Sequence, residues 1–259
     1  MDRRLEAFKR LLDIMDELRE KCPWDKKQTL ESLRYLTIEE TYELSDAILD
    51  NDLNEVRKEL GDLMLHLVFY AKIGEEKSAF NITDVLTGIS EKLIHRHPHI
   101  FGNVVAEDEK TVKDNWERIK MKEGRKSVLS GVPKSMPAMV KAFRMQEKAS
   151  GVGFDWPHID QVKEKIEEER LELEKELKNG ADPGRVEAEF GDLLFAFVNY
   201  ARFLNINPDD ALERTNKKFI KRFTYIEEQA KKKGKVLHEM SLDEMETLWQ
   251  KSKSEEPTP

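Results

Sequence analysis

The sequence EERLE at residues 168–172 and the sequence EFGD at residues 189–192 lie in stretches whose apolar residues recur at helical spacing. Side chains three positions apart share one face of a helix, so each segment places two carboxylates side by side. A short turn at residues 179–184 lets the two predicted helices pack antiparallel, and the two pairs then face each other. These pairs are Glu169 with Glu172 and Glu189 with Asp192.

Four carboxylates that meet at one point repel one another unless a cation lies between them. Oxygen ligands of this kind suit a hard divalent ion, above all Mg²⁺, with Mn²⁺ as a substitute. The two segments therefore predict a magnesium site in a helical hairpin.

The same pattern occurs in the first half of the chain, as EETYE at residues 39–43 and ELGD at residues 59–62. Residues 59–73 and 189–203 are identical at seven of 15 positions. A match at a separation of 130 residues indicates a duplicated domain rather than a short repeat. The corresponding carboxylates of the first copy are Glu39, Glu40, Glu43, Glu59 and Asp62.

Charge and cysteine content limit the classes of function. The 259 residues carry 44 basic and 52 acidic side chains, a net charge of −8, which argues against a general nucleic-acid binder. Cys22 is the single cysteine, so a reducing cytoplasm is the expected compartment. The sequence contains no apolar run of the roughly 18 residues that a membrane span needs and starts with no apolar signal segment, so we expect no membrane association.

Helical spacing without any alternating strand pattern predicts an all-α chain. Thr83 is the expected cap of the fourth helix. A segment rich in glycine, proline and serine marks a boundary, which gives domains at residues 1–123 and 138–259 with a linker at 124–137. The second predicted helix begins around residues 28–30 and runs to about 49. The other predicted helices cover about residues 3–20, 53–73, 84–97, 109–123, 138–149, 159–178, 185–204, 208–233 and 241–252.

Asp62 and Asp192 each follow a glycine inside otherwise apolar helical sequence. An unpaired carboxylate is costly to bury, and glycine inside a helix costs about 1 kcal/mol relative to alanine. The glycine before the aspartate in both halves therefore suggests that another group approaches the helix closely at this position. A glutamate-rich helix taken alone is more often a solvated surface, so a non-catalytic helical scaffold is an alternative.

The acidic pattern, EExxE followed by ExxD, resembles the motif of the MazG family of all-α nucleoside triphosphate pyrophosphohydrolases. The resemblance extends over essentially the whole chain and implies two tandem helical-bundle domains of this family. It also implies Mg²⁺-dependent hydrolysis of NTPs and dNTPs to NMP and pyrophosphate, as in nucleotide-pool housecleaning. The supporting segments are CPWD at 22–25, RHPH at 96–99, NWE at 115–117, VGFDWP at 152–157 and NKKF at 216–219.

The resemblance also implies roles for the acidic residues. Glu169, Glu172, Glu189 and Asp192 would bind the metal, while Glu168 would orient or deprotonate the attacking water. In the first copy the same positions are Glu40, Glu43, Glu59 and Asp62, with Glu39 in the place of Glu168. We expect this copy to bind metal, whereas its catalytic activity is left open.

Phosphate oxygens beyond the metal need cations from the protein. Lys218 and Arg222, four apart on one helix face, are candidates together with Lys165 and Lys253. Trp249 is either a core anchor or a platform for the base, and the resemblance favours stacking on the base. The candidates in the first copy are Arg96 and Lys120.

Two further alternatives concern specificity and assembly. A narrower enzyme of similar fold, dUTPase-like, dCTPase-like or specific for phosphoribosyl-ATP, is the nearest alternative activity. Broad apolar helix faces exceed what a three-helix unit can cover, which predicts a homodimer. His66 follows the first acidic motif but has Ala196 as its counterpart, so we expect a core histidine rather than a metal ligand.

Overall fold

The computed structural model describes residues 2–255 except 106–107, 109–110, 113–114, 117, 120–122 and 124–126. Within this described part every regular element is helical, which confirms the all-α prediction. The chain divides into two compact units, Met1–Val112 and Lys113–Pro259. The boundaries of the proposed linker stay a prediction, and the helix expected at 109–123 lies largely outside the described residues.

In its described residues the first unit contains four long helices and one short one. A 3₁₀ turn, Asp25–Lys27, connects the first helix to the second. The helices are α1 (Arg3–Lys21), α2 (Leu30–Leu49), α3 (Leu53–Glu76), α4 (Ile82–Arg96) and α5 (Pro98–Phe101).

In its described part the second unit repeats the arrangement of α1, α2 and α3 and continues with two further helices. Two 3₁₀ turns, Val128–Gly131 and Leu237–Glu239, precede its first and last helices. The helices are α6 (Ala138–Ser150), α7 (Ile159–Lys178), α8 (Pro183–Phe203), α9 (Pro208–Lys232) and α10 (Leu242–Glu255).

Local sequence fixes where these helices begin. Thr29 and Ser32 form a reciprocal capping box at the start of α2, and the Asp52 carboxylate accepts hydrogen bonds from the first turn of α3. Asp182 caps α8, whose first residue is Pro183. The expected cap of α4 was wrong, because Asn81 rather than Thr83 accepts the free backbone N–H groups.

Each unit is built around a helical hairpin, α2–α3 in the first and α7–α8 in the second. Helix α1 packs on α3, and α6 packs correspondingly on α8. The core of the first unit joins α1, α2 and α3 through Met15, Leu33, Val68, Phe69 and Ile73. In each unit a third helix therefore packs against the hairpin and helps to fix the position of its acidic motif.

A second core lies between α9 and α10 and contains Ile226, Ala230, Met240 and Leu248. The described helices do not include one that is both long and apolar enough to cross a membrane.

Leu33 tests the core of the first unit, because only 1% of its surface is exposed. We expect Leu33→Ala to lower the free energy of unfolding by about 2–5 kcal/mol, the usual cost of lost apolar contact plus a cavity. Urea unfolding followed by circular dichroism measures this change. Leu5→Ala, at an exposed position of α1, is the control and should change stability by less than about 0.5 kcal/mol; equal losses would contradict the assigned core.

Candidate metal and nucleotide site

The second hairpin brings three of the four predicted carboxylates together. Glu169 and Glu172 project from α7, and Glu189 projects from the first half of α8. One carboxylate oxygen from each lies within 4.8 Å of the others. Glu169 is buried, Glu189 is half-buried and Glu172 is exposed, so the cluster is open on one side.

Asp192 lies beside this cluster rather than within it. Its side chain is exposed, yet its charge acts on Glu189. Partial burial raises the pKa of Glu189, and the charges of Glu172, Asp192 and Glu169 raise it further. The arrangement therefore holds repelling carboxylates close together.

The first hairpin repeats the arrangement with Glu40, Glu43 and Glu59, whose ligand oxygens again lie within 4.8 Å of one another. Burial raises the pKa of Glu40, as do the charges of Asp62, Glu43 and Glu39. Burial and neighbouring carboxylates raise the pKa of Glu59 in the same way. One oxygen of Glu59, Oε2, is buried and has no hydrogen-bond partner among the described groups.

Both clusters fit a hard divalent cation. All donors are carboxylate oxygens, the ligands that Mg²⁺ and Mn²⁺ prefer. A cation between the carboxylates would remove the repulsion that raises their pKa values, and it would give the buried Glu59 oxygen a partner.

The argument from burial of the aspartates was wrong. Asp62 and Asp192 are both exposed, so neither is a buried unpaired charge. A Cβ added at Gly61 or Gly191 would meet nothing within 4 Å in the described structure, so no group of the described chain approaches either glycine closely. The aspartates keep a place near the clusters because their charges act on Glu59 and Glu189.

Lys165 lies one turn before the acidic motif of α7. Its ammonium group pairs with Glu169 at 2.6 Å and with Glu168 at 2.9 Å. These two hydrogen bonds raise the pKa of Lys165, so the side chain stays charged. Glu168 itself is exposed, which leaves its second oxygen accessible to solvent.

A cavity of about 650 Å³ lies directly beside the second cluster. Lys165, Glu169 and Asp192 line its polar end. The remainder is formed by α6, the 3₁₀ turn before it, the segment after it and the middle of α8. The other lining residues are Leu129, Met145, Gln146, Ala149, Gly153, Phe154, Asp155, Trp156, Phe195, Ala196, Asn199 and Arg202.

Polar groups inside this cavity are held in fixed positions. Arg202 donates to Asp155 at 2.9 Å and to the Asn199 side-chain oxygen at 3.1 Å. Gln146 is 8% exposed and donates to the backbone oxygen of Phe195 at 2.9 Å. Its own carbonyl oxygen Oε1 is buried without a hydrogen-bond partner in the described part of the chain. A ligand with an N–H donor would satisfy this oxygen.

The other predicted phosphate-binding residues of the second unit lie on α9 and α10. Lys218 and Lys253 are exposed. The Arg222 guanidinium carbon lies 5.5 Å from the ring centre of Trp249, which also contacts Phe219 and the second core. The cavity is lined by none of the four residues Lys218, Arg222, Trp249 and Lys253.

The structure says less about the predicted phosphate-binding residues of the first unit. Arg96 is the half-buried last residue of α4. Lys120 lies outside the described residues.

Sequence reasoning missed the cavity walls, above all Gln146, Asn199 and Arg202. The segment VGFDWP supports the resemblance, and its residues Phe154, Asp155 and Trp156 all line the cavity. Its position ahead of the second acidic motif, matched by CPWD at 22–25 ahead of the first, is the available signal.

Comparison with known proteins supports the same two regions. The MazG nucleotide pyrophosphohydrolase domain matches residues 28–101 and 158–226, and each match contains one acidic cluster. The chain is 45% identical over 256 residues to a nucleoside triphosphate pyrophosphohydrolase/pyrophosphatase MazG of Thermotoga maritima, covering 97% of both chains. It is 40% identical over 260 residues to a nucleoside triphosphate pyrophosphohydrolase of Escherichia coli, covering 97% of this chain and 99% of that one.

Glu189→Gln tests whether the raised pKa reports repulsion within the second cluster. In EDTA we expect the variant to have a higher Tm than the unchanged protein, because one of the repelling charges is removed. Addition of Mg²⁺ should raise its Tm less than that of the unchanged protein. Differential scanning calorimetry measures both effects.

Glu187→Gln is the matched control, since Glu187 is exposed on the same helix and outside the cluster. It should respond to Mg²⁺ like the unchanged protein. A lower Tm of Glu189→Gln in EDTA would contradict the repulsion.

Proposed function

Because this chain belongs to the MazG family of nucleotide pyrophosphohydrolases, we propose that it hydrolyses nucleoside triphosphates between the α- and β-phosphates. The products are a nucleoside monophosphate and pyrophosphate. The observation that carries this proposal is the meeting of Glu169, Glu172 and Glu189 beside a cavity that Glu169 lines and that is large enough for a nucleoside.

We propose Mg²⁺ as the ion of this site, with Mn²⁺ as a substitute. Glu169, Glu172 and Glu189 would hold it, with Asp192 beside them. Glu40, Glu43, Glu59 and Asp62 would hold a second ion in the first unit. When bound, the ion would neutralise negative charge on the phosphate oxygens and lower the pKa of a coordinated water molecule.

Electrostatics explain why the cluster needs cations before substrate enters. A triphosphate carries about four negative charges and would be repelled by the carboxylates alone. The ammonium group of Lys165 lies 2.6 Å from the Glu169 carboxylate, and Lys165 lines the cavity. We propose that its ammonium group turns from Glu168 and Glu169 towards a phosphate oxygen when substrate binds.

This movement would also prepare the base. Glu168 is exposed and loses its hydrogen bond when Lys165 turns away. Its freed carboxylate would then accept a proton from the attacking water and orient that water for attack on phosphorus. Glu39 occupies the same position in the first unit.

The cavity would hold the nucleoside. Phe154, Trp156 and Phe195 give it apolar aromatic walls, and the unpaired Gln146 oxygen and the Asn199 amide offer hydrogen-bonding groups. Four other residues lie outside the cavity lining, and we propose that they contact the outer phosphates and the base. They are Lys218, Arg222, Lys253 and Trp249. Arg96 and Lys120 have the same status in the first unit.

We also propose that the protein is a homodimer. Both hairpins carry an exposed apolar stripe, and each stripe residue is between 42% and 54% exposed. The two stripes match at a separation of 130 residues, so they descend from one shared surface. A second copy of this chain presents surfaces of the same chemistry and would cover them. The stripes are Leu60, Met64 and Leu67 on α3 and Phe190, Leu194 and Phe197 on α8.

Glu172→Gln and Asp192→Asn test the catalytic assignment. Each replaces a carboxylate with an amide of the same shape. We expect each to lower pyrophosphate release from an NTP panel by at least a hundredfold, because substrate positioning and charge neutralisation both depend on the ion. Helix content by circular dichroism should be unchanged.

Glu174→Gln is the control. Glu174 lies on the same helix, two positions after Glu172, but outside the cluster, so this variant should keep near-normal turnover. Near-normal turnover in both site variants would refute the proposed activity. The pair Glu43→Gln with Asp62→Asn shows separately whether the first unit contributes to turnover.

Leu194→Glu combined with Met64→Glu tests the dimer. A charge in the middle of each stripe should prevent association, because an unpaired charge is costly to bury at an interface. Light scattering after size-exclusion chromatography should show a dimer for the unchanged protein and a monomer for the variant. Leu5→Glu places the same charge at another exposed leucine and should stay dimeric; a monomeric unchanged protein would overturn the proposal.

A further inference from the structure

The side-chain amide of Gln146 has a fixed orientation in the wall of the cavity. Gln146 belongs to α6, and its Nε2 donates a hydrogen bond to the backbone oxygen of Phe195 on α8 at 2.9 Å. A backbone carbonyl oxygen only accepts hydrogen bonds, so the amide nitrogen must face α8 and cannot exchange places with the amide oxygen. The oxygen, Oε1, is therefore held at a fixed place in the cavity lining.

This oxygen is an acceptor that the protein leaves unused. Gln146 is 8% exposed, and its Oε1 is buried with no hydrogen-bond partner among the described groups. A buried acceptor without a partner is costly, and folded proteins rarely keep one without a role. A hydrogen-bond donor that enters the cavity would satisfy it.

Asn199 contributes the complementary group. It lies one turn after Phe195 on the same face of α8. Its Oδ1 accepts hydrogen bonds from Nε of Arg202 at 3.1 Å and from Nη2 of Arg202 at 2.9 Å. A guanidinium group only donates, so the Asn199 oxygen must face Arg202. The amide nitrogen of Asn199 is then the group that can donate to a molecule in the cavity.

Arg202 is itself held on several sides. Its side chain is 15% exposed, and its Nη1 donates to Asp155 at 2.9 Å. The Ser150 hydroxyl donates to the same carboxylate oxygen at 2.6 Å. The guanidinium carbon lies 4.7 Å from the ring centre of Phe203. These contacts fix the guanidinium group and, through it, the direction of the Asn199 amide.

An acceptor and a donor at neighbouring places in an aromatic cavity match the edge of a nucleobase. Bases carry N–H donors beside acceptor atoms, and proteins bind them by hydrogen bonds to this edge together with stacking on aromatic side chains. Phe154 and Trp156 line the same cavity and supply such side chains.

We infer that Gln146 is a specificity-determining residue of the nucleoside site. Its Oε1 accepts a hydrogen bond from an N–H group of the base, and Asn199 donates to the acceptor atom beside that group. The inference rests on the proposed function, because it takes this cavity as the nucleoside site. It adds a requirement on the substrate: a base without an N–H group leaves Oε1 unpaired, so its nucleotide is hydrolysed poorly.

Purine riboside 5′-triphosphate tests this requirement. It differs from ATP only in lacking the 6-amino group, which carries all the N–H bonds of the adenine base. Pyrophosphate release from the full chain with Mg²⁺ gives kcat/KM for both nucleotides, and we expect a loss of about tenfold or more for the analogue. Equal values would overturn the inference, because water or the ribose would then satisfy Oε1. No release from ATP would instead refute the proposed function.

Gln146→Met assigns the effect to one residue. Methionine has a similar length and no acceptor of comparable strength, so we expect kcat/KM for ATP to fall to nearly that of the analogue. The comparison of two nucleotides on one variant cancels any general loss of activity. A folded variant that keeps the full preference for ATP would overturn the inference. If circular dichroism shows that the variant is unfolded, the preference of the unchanged protein decides.

Gln161→Met is the matched control. The Oε1 of Gln161 is likewise buried without a partner in the described part of the chain, but Gln161 does not line the cavity. This variant should keep the preference for ATP over the analogue. Loss of the preference would contradict the assignment to Gln146.

The role of Asn199 is tested with analogues that lack one acceptor of adenine. N1 and N7 flank the 6-amino group, and 1-deaza-ATP and 7-deaza-ATP each replace one of them with C–H. We expect one of the two to show a kcat/KM lower than that of ATP by about tenfold, because the Asn199 amide nitrogen then loses its acceptor. Asn199→Leu should abolish this difference. Equal kcat/KM values for all three nucleotides would overturn the role of Asn199.

Discussion

Repulsion between carboxylates at the centre of a helical hairpin is the constraint on which this structure depends. One carboxylate oxygen from each of Glu169, Glu172 and Glu189 lies within 4.8 Å of the others, and burial together with the neighbouring carboxylates raises the pKa of Glu189. The protein accepts this unfavourable contact because the packing of the hairpin outweighs it. A site with such stored repulsion favours a divalent cation strongly, since the ion relieves a strain that already exists in the fold.

Duplication placed this hairpin in two different surroundings. The acidic clusters are nearly the same in both units, because the motif spacing and the hairpin geometry are the same. The neighbouring space differs, since a few wall positions carry small side chains in one unit and large ones in the other. Ala149 leaves room next to the second acidic cluster, whereas Arg19 is fixed by hydrogen bonds and an ion pair. The charge of the acidic cluster and the shape of the space beside it can therefore change independently in the two copies of the domain.

Much of the site could be predicted from particular residues. The spacing of Glu169 and Glu172, and the position of Glu189 after a short turn, predicted that the three side chains would meet, and they do. The exposure of Asp192 could not be read from its apolar neighbours, because the direction of one side chain on a helix depends on what packs against the opposite face.

The sequence by itself determined the all-α class, the duplication and the residues of both acidic clusters, because helical periodicity and i,i+3 spacing are local properties of the chain. Only the tertiary structure decided that α6 and the segment around Asp155 come to lie against α8 and enclose a cavity. It also decided that Lys165 pairs with the acidic motif and that Arg19 lies over Phe69. Residues such as Gln146 and Asn199 are far apart in sequence, and packing between helices, which no local pattern encodes, brings them to one cavity.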